Sequence, residues 1–441
     1  MAELTGKSLH WDIYEEHLDE AAFRWSQWEK ALDAPDFTLG EVAELEEHMA
    51  AHVDGLVLGG GPVAKYLLVP ALADEPERIV PAALALLQAE GPSGPAAVLS
   101  ALLGAEPPAL AALQRALELV PSRSIPADLP DLLKREDAAP ELLALVLETV
   151  GVHRLATAPL CMPFLTHREP QVAAAALRAT SRAQLPLEPT MLQRALDSAN
   201  PALRNAALLA GLMSGQRGSW VACQSAAESR ELGDGLPLLL LGMSGDEREV
   251  NRLLELLSDE SLRPHALWAL GFSGRVAAAD ACMKLMWNKP VAALAGEAFS
   301  AITGLRIAKE YEAPREQENE ALPSLEEENL DEDLTPKPED SLPQPRPESV
   351  AAWWKQERQR LDAKQRYLAG QPFTPQALLN ALASAPMRRR HALALELSLR
   401  SRGATQVPTR TFVSHQSAAL KATRATPTSS FSRPFAEGLR G

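Results

Sequence analysis

Prolines preceded by polar residues and followed by apolar runs recur along this chain at a nearly constant interval, and that interval constrains the fold most. The segments are "ADEPERIVPAALALL" (Pro76), "AEPPALAALQRAL" (Pro108), "EDAAPELLALVLETV" (Pro140), "HREPQVAAAALRAT" (Pro170), "SANPALRNAALLAGL" (Pro201) and "WNKPVAALAGEAFSAI" (Pro290). Successive gaps among the first five are 32, 32, 30 and 31 residues, and the 89 residues from Pro201 to Pro290 leave room for about three more units. A proline at the first helical position sacrifices no hydrogen bond, so each of these marks a helix start. The alanine-rich runs behind them let neighbouring helices approach closely. One interval holds a helix, a turn and a second helix. A hairpin that short cannot bury its apolar face alone, so the units must stack into an α-solenoid.

Composition agrees with an all-α chain. Only 5% of the residues are aromatic, and the alanine- and leucine-rich sequence has little of the β-branched enrichment that strands favour. The formal charge of -15 argues against nucleic acid or an anionic membrane as the main partner, because binding either requires neutralising phosphates with Lys and Arg. A basic protein partner, or simple solubility, fits better. Cys161, Cys223 and Cys282 are widely spaced and odd in number, which suggests neither a disulfide framework nor a zinc cluster. The opening residues lack a basic region followed by an apolar one, and no run approaches the ~20 apolar residues of a spanning helix. A cytoplasmic location is expected. The longest apolar run, "LPLLLLGM" from Leu236 to Met243, reads as a buried helix.

The ends of the array differ from its middle. Residues 11–32 form an amphipathic pattern with Tyr14, Leu18, Trp25, Trp28 and Leu32 on one face, which suits a capping helix packed on the first repeat. After Gly304 the chain turns acidic and proline-rich, with too little apolar surface to offset its ordering entropy. Order is expected to resume in "SVAAWWKQERQRLDAKQRYLAG", a helix capped by Ser349 and ended by Gly370. A second helix should start at Thr374 and Pro375, and a third should cover "MRRRHALALELSLRS". From Gly403 onward the Ser/Thr/Arg/Ala-rich tail reads as largely disordered, with "FSRPF" as a short docking segment.

Candidate chemistry is sparse. His48 and His52 stand four apart just before Gly59, Gly60 and Gly61, but Met49 occupies the position where a zinc-protease helix carries its glutamate. The stripe Val42, Leu45, Met49, Val53 and Leu56 defines the buried face, and both histidines fall on its shoulder. Glu44 and His17 are the neighbours at hand, an incomplete zinc set. Neither phosphate-loop signature is present. Thr38 and Glu41 form a capping box, and Pro62 opens the next helix, so the glycines are expected to stop one helix and reverse the chain. Ser214 and Ser244 lie in "MSG" sequences without G-x-S-x-G. No catalytic residue, metal or cofactor is assigned. The candidates for partner binding are Trp353 and Trp354, which point about 100° apart on one helix, and Arg388, Arg389 and Arg390. The favoured alternative is that the tryptophans seal the C-terminal unit onto the solenoid and the arginines meet the acidic segment of the same chain.

"LLSDESLRPHALWAL" and "ALDSANPALRNAALLAGL" resemble HEAT repeats, in which an Asp in the inter-helix turn and a later Arg support the stack; Asp197 with Arg204 and Asp259 with Arg263 hold those places. Over nearly the whole chain, "EEHLDEAAFRWSQWEKAL", "ELEEHMAAHVDGLVLGG", "AGEAFSAITGL" and "AAWWKQERQRLDAKQRYLAGQP" resemble a bacterial HEAT-like family, without established activity, encoded among type VI secretion genes near tip proteins and effectors. The expected organisation is an N-terminal helical cap (1–61), a HEAT-like solenoid (62–304), an acidic linker (305–347), a C-terminal helical unit (348–402) and the tail (403–441). The expected function is a non-enzymatic protein-binding scaffold. The resemblance implies a type VI tip protein or effector as its partner. The alternatives are a HEAT-like lyase-type enzyme acting on a chromophore or protein side chain, and an immunity protein that occludes a neighbouring toxin.

Overall fold

The computed structural model describes residues 9–230, 235–314, 337–425 and 435–439. Its first two helices, α1 (Trp11–Ala31) and α2 (Leu39–Leu58), run antiparallel, with Tyr14 against Gly59 and His17 against Gly55. The aromatic stripe is core: Leu18, Trp28 and Leu32 are fully buried, and α1 lies on the first repeat. Thr38 and Glu41 cap α2 reciprocally, with the Thr38 amide 2.8 Å from the Glu41 carboxylate. The glycine run does less than expected. Only Gly60 adopts a positive φ, +65°, and helix resumes at once over Gly60–Val63, so the stop occupies a single residue.

The periodic prolines mark one row of the array. Its helices are α3 (Pro76–Gln88), α4 (Pro107–Leu119), α5 (Pro140–Val152), α6 (Pro170–Arg182), α7 (Pro201–Ser214), α8 (Leu236–Ser244), α9 (Arg263–Ser273) and α10 (Ala292–Thr303). Each packs on the next except α7 and α8, which are joined through the helix Arg217–Ser229. Shorter helices such as Ser93–Leu102 and Glu247–Leu256 form the other row. The contacts within the first row are made by very small residues. A Cβ on Gly151 would stand 2.7 Å from the Ala179 Cα, and one on Gly242 would overlap the Ala269 carbonyl. This is an all-α solenoid built from helical hairpins.

The expected Asp–Arg pairs are not formed. Arg204 donates to the Ser198 and Ala199 carbonyls at 2.8 and 2.9 Å, and Arg263 to the Leu257 carbonyl at 2.8 Å. Arg263 thereby satisfies the carbonyl that caps the preceding helix, while Arg204 satisfies two carbonyls of the turn that follows its own preceding helix. Asp259 instead takes Arg230 of the neighbouring unit at 2.6 Å.

Beyond the array, α11 (Pro347–Glu357) ends sooner than its sequence suggests. Arg358 leaves the helix to fork onto Asp280 at 2.7 Å, and the chain turns into a two-residue hairpin, Tyr367–Leu368 paired with Gln371–Pro372. The helix expected to run on to Gly370 is therefore a helix plus a strap. The strap lies across the ends of α9 and α10: the Tyr367 amide donates to the Gly274 carbonyl at 2.7 Å, and the Ala369 and Gly370 amides to Ala301 and Ile302 at 2.8 Å. Gly274 and Gly304 permit this approach, since each has a left-handed φ and a Cβ on either would strike strap backbone.

The helices α12 (Pro375–Ser384) and α13 (Met387–Arg400) follow, with the Thr374 hydroxyl capping α12 as expected. The position of α13 decides the shape of the molecule. Side chains of α4 through α10 face it, and its N-terminal end is bonded back to the cap: the Met387 amide donates to Phe37, 2.8 Å, and the Arg388 amide to Ala34, 3.1 Å. The solenoid thus curls around α13. The tail is a second correction. Residues 413–424 form a helix, α14, and Phe412 packs on Trp28 with ring centroids 5.3 Å apart. Order here comes from buried polar side chains such as Gln416 and Thr423, which carry no apolar periodicity. Of "FSRPF", only Phe435 is described, edge-on to Trp220. Most of the acidic linker, 315–336, lies outside the described residues. Its ends meet, with the Ala313 amide on Gln344 at 2.8 Å and the Arg346 amide on Tyr311 at 2.7 Å. No described helix is long and apolar enough to cross a membrane.

Candidate functional site

Two cavities flank α13. The first, about 390 Å³, lies between α13, the inner helices α4 to α7 and the loop 406–411. The second, about 380 Å³, lies between α13 and α8 to α10. His391 and Leu395 face both.

Cations line the first cavity: Arg115, Arg154, Arg178, Arg182 and Arg410. Arg115 is held by Glu29 at 3.0 Å, and Arg410 by Asp33 at 2.7 Å. Arg178 and Arg182, one turn apart on α6, share the carboxylate of Glu148, the latter at 2.6 Å. Arg154 follows α5 in a left-handed conformation, φ +56°, with an exposed side chain that meets no acceptor among the described residues. Glu118 is the one acidic group on the wall, and burial raises its pKa against the opposing pull of Gln114 and Arg115. Leu209, Met213 and Val407 supply an apolar floor.

At the joint between the cavities His391 ties three distant segments together. Its Nε2 is 2.8 Å from the Leu32 carbonyl and 3.1 Å from Asp33, and its Nδ1 is 2.7 Å from the Thr409 hydroxyl. Since a carbonyl only accepts, Nε2 carries the proton, and in the neutral ring the Thr409 hydroxyl donates to Nδ1. Burial would raise the Asp33 pKa, but the hydrogen bond from His391 and the Arg410 charge outweigh it and bring it to about 2. A hydroxyl, imidazole and carboxylate in series are also the parts of a nucleophilic relay. Here the imidazole's nearer acceptor is a backbone carbonyl, which makes the group a clasp.

The residues expected to bind a partner are engaged inside the chain. Trp354 is buried against Phe299 and donates to Asp280 at 2.9 Å; Trp353 is half-buried against the same ring. Arg388 meets Glu339 of the acidic segment at 3.0 Å and covers the Trp268 ring. Arg389 donates to Glu297 at 2.6 Å, on α10. Arg390 is fully buried and reaches the Leu382 carbonyl at 2.6 Å and the Gln416 side chain; burial brings its pKa down to about 10. Wedging α13 into the solenoid consumes the three arginines, and the packing of α11 on α10 consumes the two tryptophans.

His48 is exposed, whereas His52 meets His17 through their Nδ1 atoms at 3.0 Å. Partial burial and the neighbouring His17 lower the pKa of His52. Among the described residues, no group of three or more His, Cys, Asp or Glu is placed to hold a metal ion. All three cysteines are buried thiols, and burial raises Cys282 to about 12. The cavity arginines escaped the sequence reading, although Arg178 and Arg182 carried a signal: two cations at i,i+4 on an otherwise alanine face.

No family model and no curated protein matches this chain. Among solved structures, the X-ray structure of YibA from Escherichia coli aligns over 68% of this chain and 99% of its own, with 13% identity and a TM-score of 0.28. At that level of likeness, the fold assignment rests on the packing of this chain alone.

Proposed function

We propose that this protein is a cytoplasmic, non-catalytic scaffold that binds another protein through the free edge of its N-terminal cap. The observation that carries this reading is the apolar character of that edge. Solenoids ordinarily close with a polar outer face. Here Trp11 and Tyr66 meet edge to face at 6.2 Å while Tyr66 stays 64% exposed, and Leu58, at the same end, is 85% exposed. Large apolar residues gathered in water at one end of a stack are characteristic of an interaction surface. With the concave face occupied by α13, partners are left the edges and the outer face. By the resemblance to the type VI-associated family, the partner is a tip protein or effector.

Co-purification from the native host tests this. Wild-type protein is expected to recover a tip protein or effector, and a Leu58→Ser/Tyr66→Ser variant of unchanged melting temperature is expected to lose it. Equal recovery by both would remove the cap edge from the interface. Recovery of a toxin whose activity is blocked would favour an immunity role, and a chromophore bound beside His391 and Thr409 would favour a lyase-type enzyme.

A further inference from the structure

We propose that the cavity between α13 and α4 to α7 binds a small carboxylate ligand with a short apolar body, gripped by Arg154, Arg182 and Arg410. The charge count points there first. Five arginines line the cavity, and the carboxylates that touch or join them are four, Glu29, Asp33, Glu118 and Glu148. The wall therefore keeps a cationic excess inside a chain whose formal charge is -15. The excess is localised: Arg178 and Arg182 divide one carboxylate between them, and Arg154 has none among the described residues.

Shape supplies the rest. A guanidinium presents a planar fork that matches a carboxylate with two parallel hydrogen bonds. Arg410 is about half exposed and Arg154 is exposed, so both stand at the mouth, while Leu209, Met213 and Val407 lie on the floor. A volume of about 390 Å³ falls in the range of small-ligand sites and suits a short aliphatic chain below an anionic head. Bare phosphate would leave that floor uncovered. The ligand class that carries this chemistry is a free aliphatic monocarboxylate.

Calorimetric titration of the full chain tests this. The probes are hexanoate, methyl hexanoate and inorganic phosphate. Hexanoate is expected to bind one to one, about tenfold more weakly after Arg154→Gln, and more weakly in salt. The site is refuted by any of three results: no binding of hexanoate at millimolar concentration, equal binding of the ester or of phosphate, or affinity unchanged in Arg154→Gln. Arg154 is exposed and has no ion-pair partner among the described residues, so that variant is expected to fold; Arg182→Gln serves as a second where its melting curve is native. Co-purification through the cap edge is a separate readout, so either proposal can fail alone.

Discussion

From α3 to α10 the helices approach one another at alanine and glycine; α13, at their centre, is anchored by arginine and glutamate to α10, the strap, α12 and α14. Ala173 to Ala176 are all buried on α6, as are Arg390, Glu396 and Arg400 on α13. Small side chains set a short distance between helices but fix no particular position along them. Hydrogen-bonded charges do. Glu396 takes Arg366 at 2.5 Å and Arg400 at 2.8 Å, and Arg366 also reaches the Phe272 carbonyl at 2.7 Å, so one carboxylate sets α13, the strap and α9 in register. Repeats can therefore stack by shape alone, while the enclosed helix is located by partners that exist in one place.

The sharpest way to break this contrast is Glu396→Ala. It leaves two guanidiniums buried without their carboxylate and is expected to cost about 3–5 kcal/mol, read as a lower urea midpoint. Replacing Arg366, Glu396 and Arg400 together by apolar residues of similar size should cost far less, because desolvation of all three is then avoided. If the triple variant were as unstable as Glu396→Ala, the charges would be contributing stability and not only register. In the inner row the matching experiment is Gly242→Ala, where the new methyl collides with Ala269 and is expected to cost about 1–3 kcal/mol.

A smaller effect is expected at the clasp. The folded pKa of Asp33, about 2, lies below its ordinary value of 3.8, so its contribution is fully present above about pH 4 and lost as pH falls toward 2. For a side chain a third exposed, this amounts to about 1 kcal/mol after screening. The melting-temperature gap between wild type and Asp33→Asn should thus be widest near neutrality and close on acidification. The smallest change is expected for His48→Gln/His52→Gln, within about 0.5 kcal/mol, since these shoulder residues belong neither to the row contacts nor to α13. Loss of a stoichiometric metal together with a large fall in melting temperature would contradict that reading.

The two regions also differed in how far they could be read beforehand. Proline at a helix start is a local signal, so Pro76, Pro108, Pro140, Pro170 and Pro201 announced their helices without knowledge of any neighbour. Which helix fills a concave face is not local. "MRRRHALALELSLR" reads as an ordinary amphipathic helix with a basic patch, and nothing in it says that Arg390 and Glu396 will be buried. The same holds for α11, where Arg358 abandons the helix for an aspartate 78 residues away, and for α14, whose buried face includes a glutamine and a threonine. The cavity was the least legible feature, because its arginines come from four helices or loops that only the curl brings together.

The clasp at His391 has a temporal side. Its Leu32 partner lies 359 residues upstream, and the Arg410 to Asp33 and Val413 to Glu46 contacts span similar distances. At about 5–20 residues per second of synthesis, the cap waits roughly 20–70 s for the segment that completes it. Early repeats can stack on one another during that time, with their inner face still in water. A ribosome that stalls before α13 would hold an open arc, so translation speed through the codons for α13 and residues 401–413 sets how long this protein stays vulnerable to aggregation.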